Sequence, residues 1–126
     1  MTVDRAGVVD ALRASGARFA LLHGSRADER GRPRPDSDFD VGAWWGDDPP
    51  DAWDVELPAE VDLVVLDRAP LWLAGRIAQY GSLLFDDDPS HRVAWQADTR
   101  LRYLDDAPAV RERYRTRREQ LARGRG

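Results

Sequence analysis

A small mixed β-sheet flanked by helices, an α/β arrangement of the α+β kind, is predicted by three observations. Short apolar runs recur at Arg18–His23, Phe39–Trp45 and Val61–Leu66, each bounded by Gly, Pro or Asp. Apolar residues at helical spacing fill the N-terminal stretch and most of the chain after Pro70. A length of 126 residues gives room for one domain, 1–126, with one modest core.

Each element has a local reason. Val8, Val9 and Leu12 form a stripe preceded by Thr2 as a cap, which predicts a helix over 3–14 ending near Gly16. Arg18–His23 (RFALLH) reads as a buried strand broken by the turn at Gly24-Ser25. In the polar loop that follows, Pro33 and Pro35 forbid helix. Phe39–Trp45 is the second strand and Val61–Leu66 the third, with a further short strand expected at Asp54–Leu57. Trp44 and Trp45, being consecutive, should face opposite sides of the sheet.

Pro70 suits the first turn of a helix whose inner face carries Leu73, Ile77 and Tyr80, with Gly81 at its C-terminal end. Ser82–Phe85 is expected as an edge strand. Asp88-Pro89 opens another helix with Ala94, Ala97, Leu101 and Leu104 on one side. Pro108 opens a last one with Val110, Tyr114 and Leu121 inward. A core over about 17–86 followed by C-terminal helices over about 89–123 is the expected organisation.

Composition narrows the function classes. No apolar run approaches the roughly 20 residues of a membrane span, and the N-terminus lacks the apolar core of a secretion signal. The absence of cysteine removes disulfides, thiolate metal sites and a cysteine nucleophile, and agrees with a cytoplasmic location. A net charge of −4 argues against a general nucleic-acid binder, which needs a basic face for phosphates. Charge is uneven: Asp47, Asp48, Asp51, Asp54, Glu56, Glu60 and Asp62 run without a base, whereas the stretch after Val110 is rich in arginine.

The chemistry concentrates in Gly24-Ser25 at one strand end, Asp38-Phe39-Asp40 at the head of the next, and Asp62 on a third. Residues two apart on a strand share a face, so Asp38 and Asp40 present two carboxylates on one side while Phe39 turns into the core. A neighbouring strand lies about 4.8 Å away, which lets Asp62 complete the group. Close carboxylates repel unless cations neutralise them. Oxygen-only donors favour magnesium or manganese, and two such ions about 3.5–4 Å apart suit phosphoryl transfer. Glycine at Gly24 lets backbone N–H groups approach an anion, Ser25 can donate its hydroxyl to a phosphate, and Arg26 can neutralise triphosphate charge.

HGSRA, PDSDFDVG and VDLVVLDRAP resemble the signature segments of the minimal nucleotidyltransferases of the DNA polymerase β superfamily. The run VDLVVLDRAPLWLAGRIAQYGSLLFDDDP resembles, more closely, the MntA antitoxins that pair with HEPN-domain toxins of the HepT kind. The resemblance extends from about Ala17 to the last helix. It implies a polymerase β-like minimal nucleotidyltransferase fold and the transfer of AMP from ATP to a tyrosine of the partner toxin, blocking its RNase action. By position, Asp38 and Asp40 would hold two magnesium ions, Asp62 would serve the metal on the acceptor side, and Gly24 and Ser25 would hold the triphosphate. The loop from Ser25 to Asp38 is longer than the family pattern, with the extra length in the GRPRP segment, where insertions cost little closure entropy.

Plainer readings stand beside these. Asp36 or Asp38 could cap a turn; Arg26 and the pair Asp67-Arg68 serve equally well as surface or turn residues; His23 reads as a satisfied core histidine and His91 as solvent-facing. A transferase acting on a small hydroxyl compound such as an aminoglycoside is the second function, although little chain remains after Phe85 to hold such an acceptor. A non-catalytic antitoxin that works by binding alone is the third.

Overall fold

The computed structural model describes residues 4–23 and 39–105. Their elements are helix α1 (Arg5–Ala14), strand β1 (Phe19–Leu22), strand β2 (Phe39–Trp44), a 3₁₀ turn (Ala52–Asp54), strand β3 (Val61–Val65), helix α2 (Leu71–Tyr80) and strand β4 (Ser82–Asp86). Residues 89–105 are helical and are called α3. The expected last helix and Thr2 lie outside the described residues. Asp4 stands at the start of α1 without a side-chain cap bond.

Val8 and Leu12 bury the inner face of α1. The helix stops because Gly16 turns to φ +95°, a left-handed conformation that glycine adopts without a Cβ penalty. That turn lets the Gly16 N–H reach the Arg13 carbonyl and the Ala17 N–H reach the Leu12 carbonyl, both at 3.0 Å.

The sheet is mixed, in the order β3-β2-β1-β4. β1 pairs antiparallel with β2 and β4, and β2 pairs parallel with β3. β4 is therefore an edge strand, as expected. Alternation along β2 sends Phe39, Val41 and Ala43 to one face, where Trp45 joins them against Val8 and Leu12 of α1. Trp44 points to the other face with Phe19, Leu21, Leu66 and Ile77, under α2 and α3. Trp44 stacks on Phe19 with ring centroids 5.2 Å apart, and the Trp45 Nε1–H donates to the Ser15 carbonyl at 2.9 Å. The two tryptophans thus do face opposite sides.

Three expectations are corrected. Residues 54–57 form no strand: the chain makes the 3₁₀ turn instead, and Val55 and Leu57 drop into the α1-side core as anchors of the long return from β2 to β3. Tyr80 is 77% exposed, because Ala74, Gly75, Ile77 and Ala78 take the inner face of α2. On α3 the packed side is Trp95, Gln96, Thr99 and Tyr103, while Leu101 and Leu104 are 62% and 58% exposed and Ala94 and Ala97 face outward with them. The physical reason is a carbonyl near the end of α2. Ala78 lies in the last turn, and its oxygen accepts from Gln96 Nε2 at 3.1 Å and Arg100 Nε at 2.8 Å. Satisfying that group fixes the rotation of α3, and Tyr103 fills the space beside Gly75.

At its start α3 follows the expected pattern. Pro89 occupies the first helical position, and the Asp88 carboxylate accepts from the His91 backbone N–H at 3.3 Å. His91 is exposed but not idle: its Nδ1 lies 2.7 Å from Asp88, and its ring stacks on Trp44 at 5.7 Å. The Asp88 carboxyl is held below its ordinary value, chiefly by the hydrogen bond from His91.

Candidate functional site

The parallel register of β2 and β3 sets Asp40 beside Asp62. Directly paired residues on neighbouring strands share a face and lie about 4.8 Å apart at the backbone. The face is fixed by alternation: Phe39 and Val41 belong to the α1-side core, so Asp40 points to the α2 side with Gly42 and Trp44. On β3, Val61, Leu63 and Val65 face α1, leaving Asp62 with Val64 on the α2 side.

Asp40 is half-buried and Asp62 exposed. Both carboxylates therefore keep contact with water, which lets two negative charges stand together without the penalty of full burial.

A third titratable group completes the row. The His23 N–H donates to the Asp40 carbonyl at 3.1 Å, continuing the β1–β2 ladder by one residue. By the alternation of β1, where Phe19 and Leu21 face α2, His23 falls on the same side as the two acids. His23 is half-buried, and its Nε2 is buried without a hydrogen-bond partner among the described residues. It is therefore not the satisfied core histidine that the sequence suggested. Burial holds its pKa below the ordinary value; the Asp40 charge opposes that shift and the Arg76 guanidinium reinforces it.

Of the expected site residues, the structure brings Asp40 and Asp62 together. Asp38, Gly24, Ser25 and Arg26 lie outside the described residues. Among the described residues no three His, Asp or Glu side chains are grouped so as to hold a metal ion. The donor chemistry of the pair nonetheless fits a hard divalent cation: two carboxylates on one face, partly open to water, with oxygen as their only ligand atom.

The pair Asp67-Arg68, open to two readings from sequence, is structural. The Asp67 carboxylate accepts from the Trp45 N–H at 3.0 Å and the Gly46 N–H at 2.7 Å, closing the end of β2. Arg68 donates to Asp51 at 2.7 Å and to the Pro49 carbonyl at 2.6 Å, tying down the acidic loop. The residues that sequence reasoning passed over are His23, as a member of the acid row, and Arg76. Position alone, immediately before Gly24, was the available signal for His23; nothing local marked Arg76.

No protein-family model matches the chain, and no curated protein matches it in sequence. Solved structures do match its shape. A chain in a crystal structure of a toxin–antitoxin MntA–HepT mutant, in which two aspartates two residues apart are replaced by glutamate, superposes with a TM-score of 0.64 at 16% identity, covering 87% of this chain and 98% of that one. A toxin–antitoxin crystal structure with AMP-PNP gives 0.62 at 19% identity, with the same coverage. A complex of tri-AMPylated Shewanella oneidensis HEPN toxin with MNT antitoxin gives 0.57 at 18% identity, covering 86% and 93%. The chain shares the fold found in these toxin–antitoxin structures.

Proposed function

We propose that this chain is a magnesium-dependent nucleotidyltransferase that acts as an antitoxin, moving AMP from ATP onto a tyrosine of a HEPN-domain RNase toxin in the cytoplasm and so neutralising it. The observation that carries the reading is the Asp40–Asp62 register pair on one face of the sheet. The solved structures support it: one neighbour contains AMP-PNP, another is a complex with an AMPylated HEPN toxin, and a third carries substitutions at two aspartates with the spacing of Asp38 and Asp40.

In this reading the whole of 1–126 is one nucleotidyltransferase domain. Asp38, Asp40 and Asp62 hold two magnesium ions. Bound there, the ions supply charge neutralisation for the phosphates and lower the pKa of the attacking hydroxyl. Gly24 and Ser25 cradle the triphosphate with backbone N–H groups and a hydroxyl, and Arg26 adds positive charge. Asp62, at the exposed end of the pair, lies on the acceptor side and orients the tyrosine hydroxyl. The tyrosine oxygen forms a bond to the α-phosphorus, the bond from that phosphorus to the bridging oxygen breaks, and pyrophosphate leaves.

The test is mass spectrometry of a HEPN toxin after incubation with the chain, ATP and magnesium. One or more AMP masses on a toxin tyrosine support the reading, and Asp40→Ala should remove them. If the toxin is silenced without any mass gain, neutralisation is by binding alone and the enzymatic reading fails.

A further inference from the structure

Helix α2 lies across the face that carries the acid row. Its Ile77 fills the space a side chain on Gly42 would need, with atoms 3.3 Å from where that Cβ would sit, two residues along β2 from Asp40. At its far end α2 abuts β1: a Cβ on Gly81 would lie 3.1 Å from the Leu22 carbonyl oxygen and 3.2 Å from the Leu21 Cβ. The last turn of α2 therefore rests on the end of β1, next to His23 and its neighbour Asp40.

Arg76 precedes Ile77 on this helix and is exposed. Among the described residues Arg13, Arg18, Arg68, Arg92 and Arg102 form ion pairs, and Arg100 donates to a carbonyl. Arg76 does neither. Its positive charge reaches His23 and disfavours protonation of the imidazole, which puts the guanidinium within electrostatic range of the row. An arginine left without an anionic partner beside two carboxylates suits a ligand that brings both its own cations and its own negative charge. A polyphosphate does this, and guanidinium matches phosphate oxygens bidentately.

We propose that Arg76 is a nucleotide-binding residue that holds the phosphate chain of the nucleotide from α2. The proposal rests on the reading that this face takes a nucleoside triphosphate and adds to it a contact from a helix that no signature segment includes. The guanidinium donates to non-bridging phosphate oxygens, so the contact should grow with the number of phosphates.

The test is calorimetric titration of the full chain with AMP-PNP and with AMP, both in magnesium, for the wild type, Arg76→Ala, Arg76→Lys and Asp40→Asn. Arg76→Ala should weaken AMP-PNP binding by about tenfold or more, the scale of one charge-assisted hydrogen bond, and AMP binding by less. Arg76→Lys should recover part of the loss, and a melting temperature like that of the wild type would show that Arg76→Ala is folded. Wild-type affinity for AMP-PNP in Arg76→Ala, alongside impaired binding by Asp40→Asn, would overturn the role of Arg76 and leave the nucleotide reading standing. No AMP-PNP uptake by the wild type would overturn both. An equal loss for AMP and AMP-PNP would overturn the phosphate-chain assignment.

Discussion

Asp40 on β2 and Asp62 on β3 are register partners in a parallel pair, so two carboxylates distant in sequence stand side by side on one face of the sheet. The arrangement has a cost in the absence of cations, since like charges directly opposite on neighbouring strands are destabilising by up to about 1 kcal/mol. Asp62→Asn should therefore leave the metal-free protein as stable as the wild type or slightly more so, while reducing AMP transfer by more than about 100-fold, given that even outer partners of metal sites are worth 10–100-fold. Thermal melts with and without magnesium check both halves: the ion should raise the wild-type melting temperature and leave the variant nearly unmoved. A variant that melts markedly lower without magnesium would show that the Asp62 carboxylate is a structural prop.

The Asp67 carboxylate bridges two backbone N–H groups at the end of β2, beside Gly46 at φ +86°. Asp67→Ala leaves both donors without that acceptor, and the expected loss is about 1–3 kcal/mol of unfolding free energy in urea titration. Transfer activity per folded molecule should be unchanged. A large drop in turnover at full folding would return Asp67 to the catalytic machinery.

Two glycines are held by close packing. A Cβ on Gly42 would sit 2.9 Å from Leu66 Cδ2, and one on Gly75 would sit against the Tyr103 ring. Gly42→Val and Gly75→Val should each cost about 1–3 kcal/mol by overpacking. Both glycines lie under α2, so each substitution should also weaken nucleotide binding if α2 contributes to the site. Chemical denaturation alongside the calorimetric titration separates the two effects.

Arg13 grips Asp87 through two parallel bonds, Nε to Oδ2 at 2.7 Å and Nη2 to Oδ1 at 2.8 Å, joining α1 to the end of β4. The hydrogen bonds from Arg13 hold the Asp87 carboxyl below its ordinary 3.8. With the folded value lowered, the unfolded chain binds the proton first on acidification. The contribution of this pair is thus complete above about pH 4 and is lost as pH falls below 3.8 through the folded value. Arg13→Gln should flatten that part of the stability curve. The pair is on the surface, so added salt should shrink the effect as well.

How much of this was legible in the sequence differs from element to element. Alternation on β2 told which way Phe39 and Asp40 face, because period-two burial on a strand is a local property. The end of α1 at Gly16 was legible for the same kind of reason. The face of α3 was not. Its sequence offers one apolar stripe through Ala94, Ala97, Leu101 and Leu104 and another side carrying Trp95, Gln96 and Thr99, and hydrophobicity favours the first. The packing that prevails is decided by a carbonyl at the end of another helix, at Ala78, which periodicity cannot see. Asp54–Leu57 failed similarly: Val55 and Leu57 have the spacing of a strand face, yet they serve as anchors of a crossing segment. Partnership of Asp40 with Asp62 could be expected from adjacency of their strands, but the direction of pairing is a tertiary fact. His23 entered the row only once β1 was seen to run antiparallel to β2.

That parallel pairing also bears on how the molecule is made. β2 ends at one margin of the sheet and β3 begins at the opposite one, so the intervening segment must travel back across the α1 side, where Val55 and Leu57 are seated, before Asp62 arrives at its place. Non-local closures of this kind are slow steps in folding, because chain entropy is lost before the contacts that reward it are made. An incomplete chain thus keeps its acids apart and has no cation trap to offer. Competence arrives only with the finished return journey, and damage at Val55, remote from any substrate, would delay it.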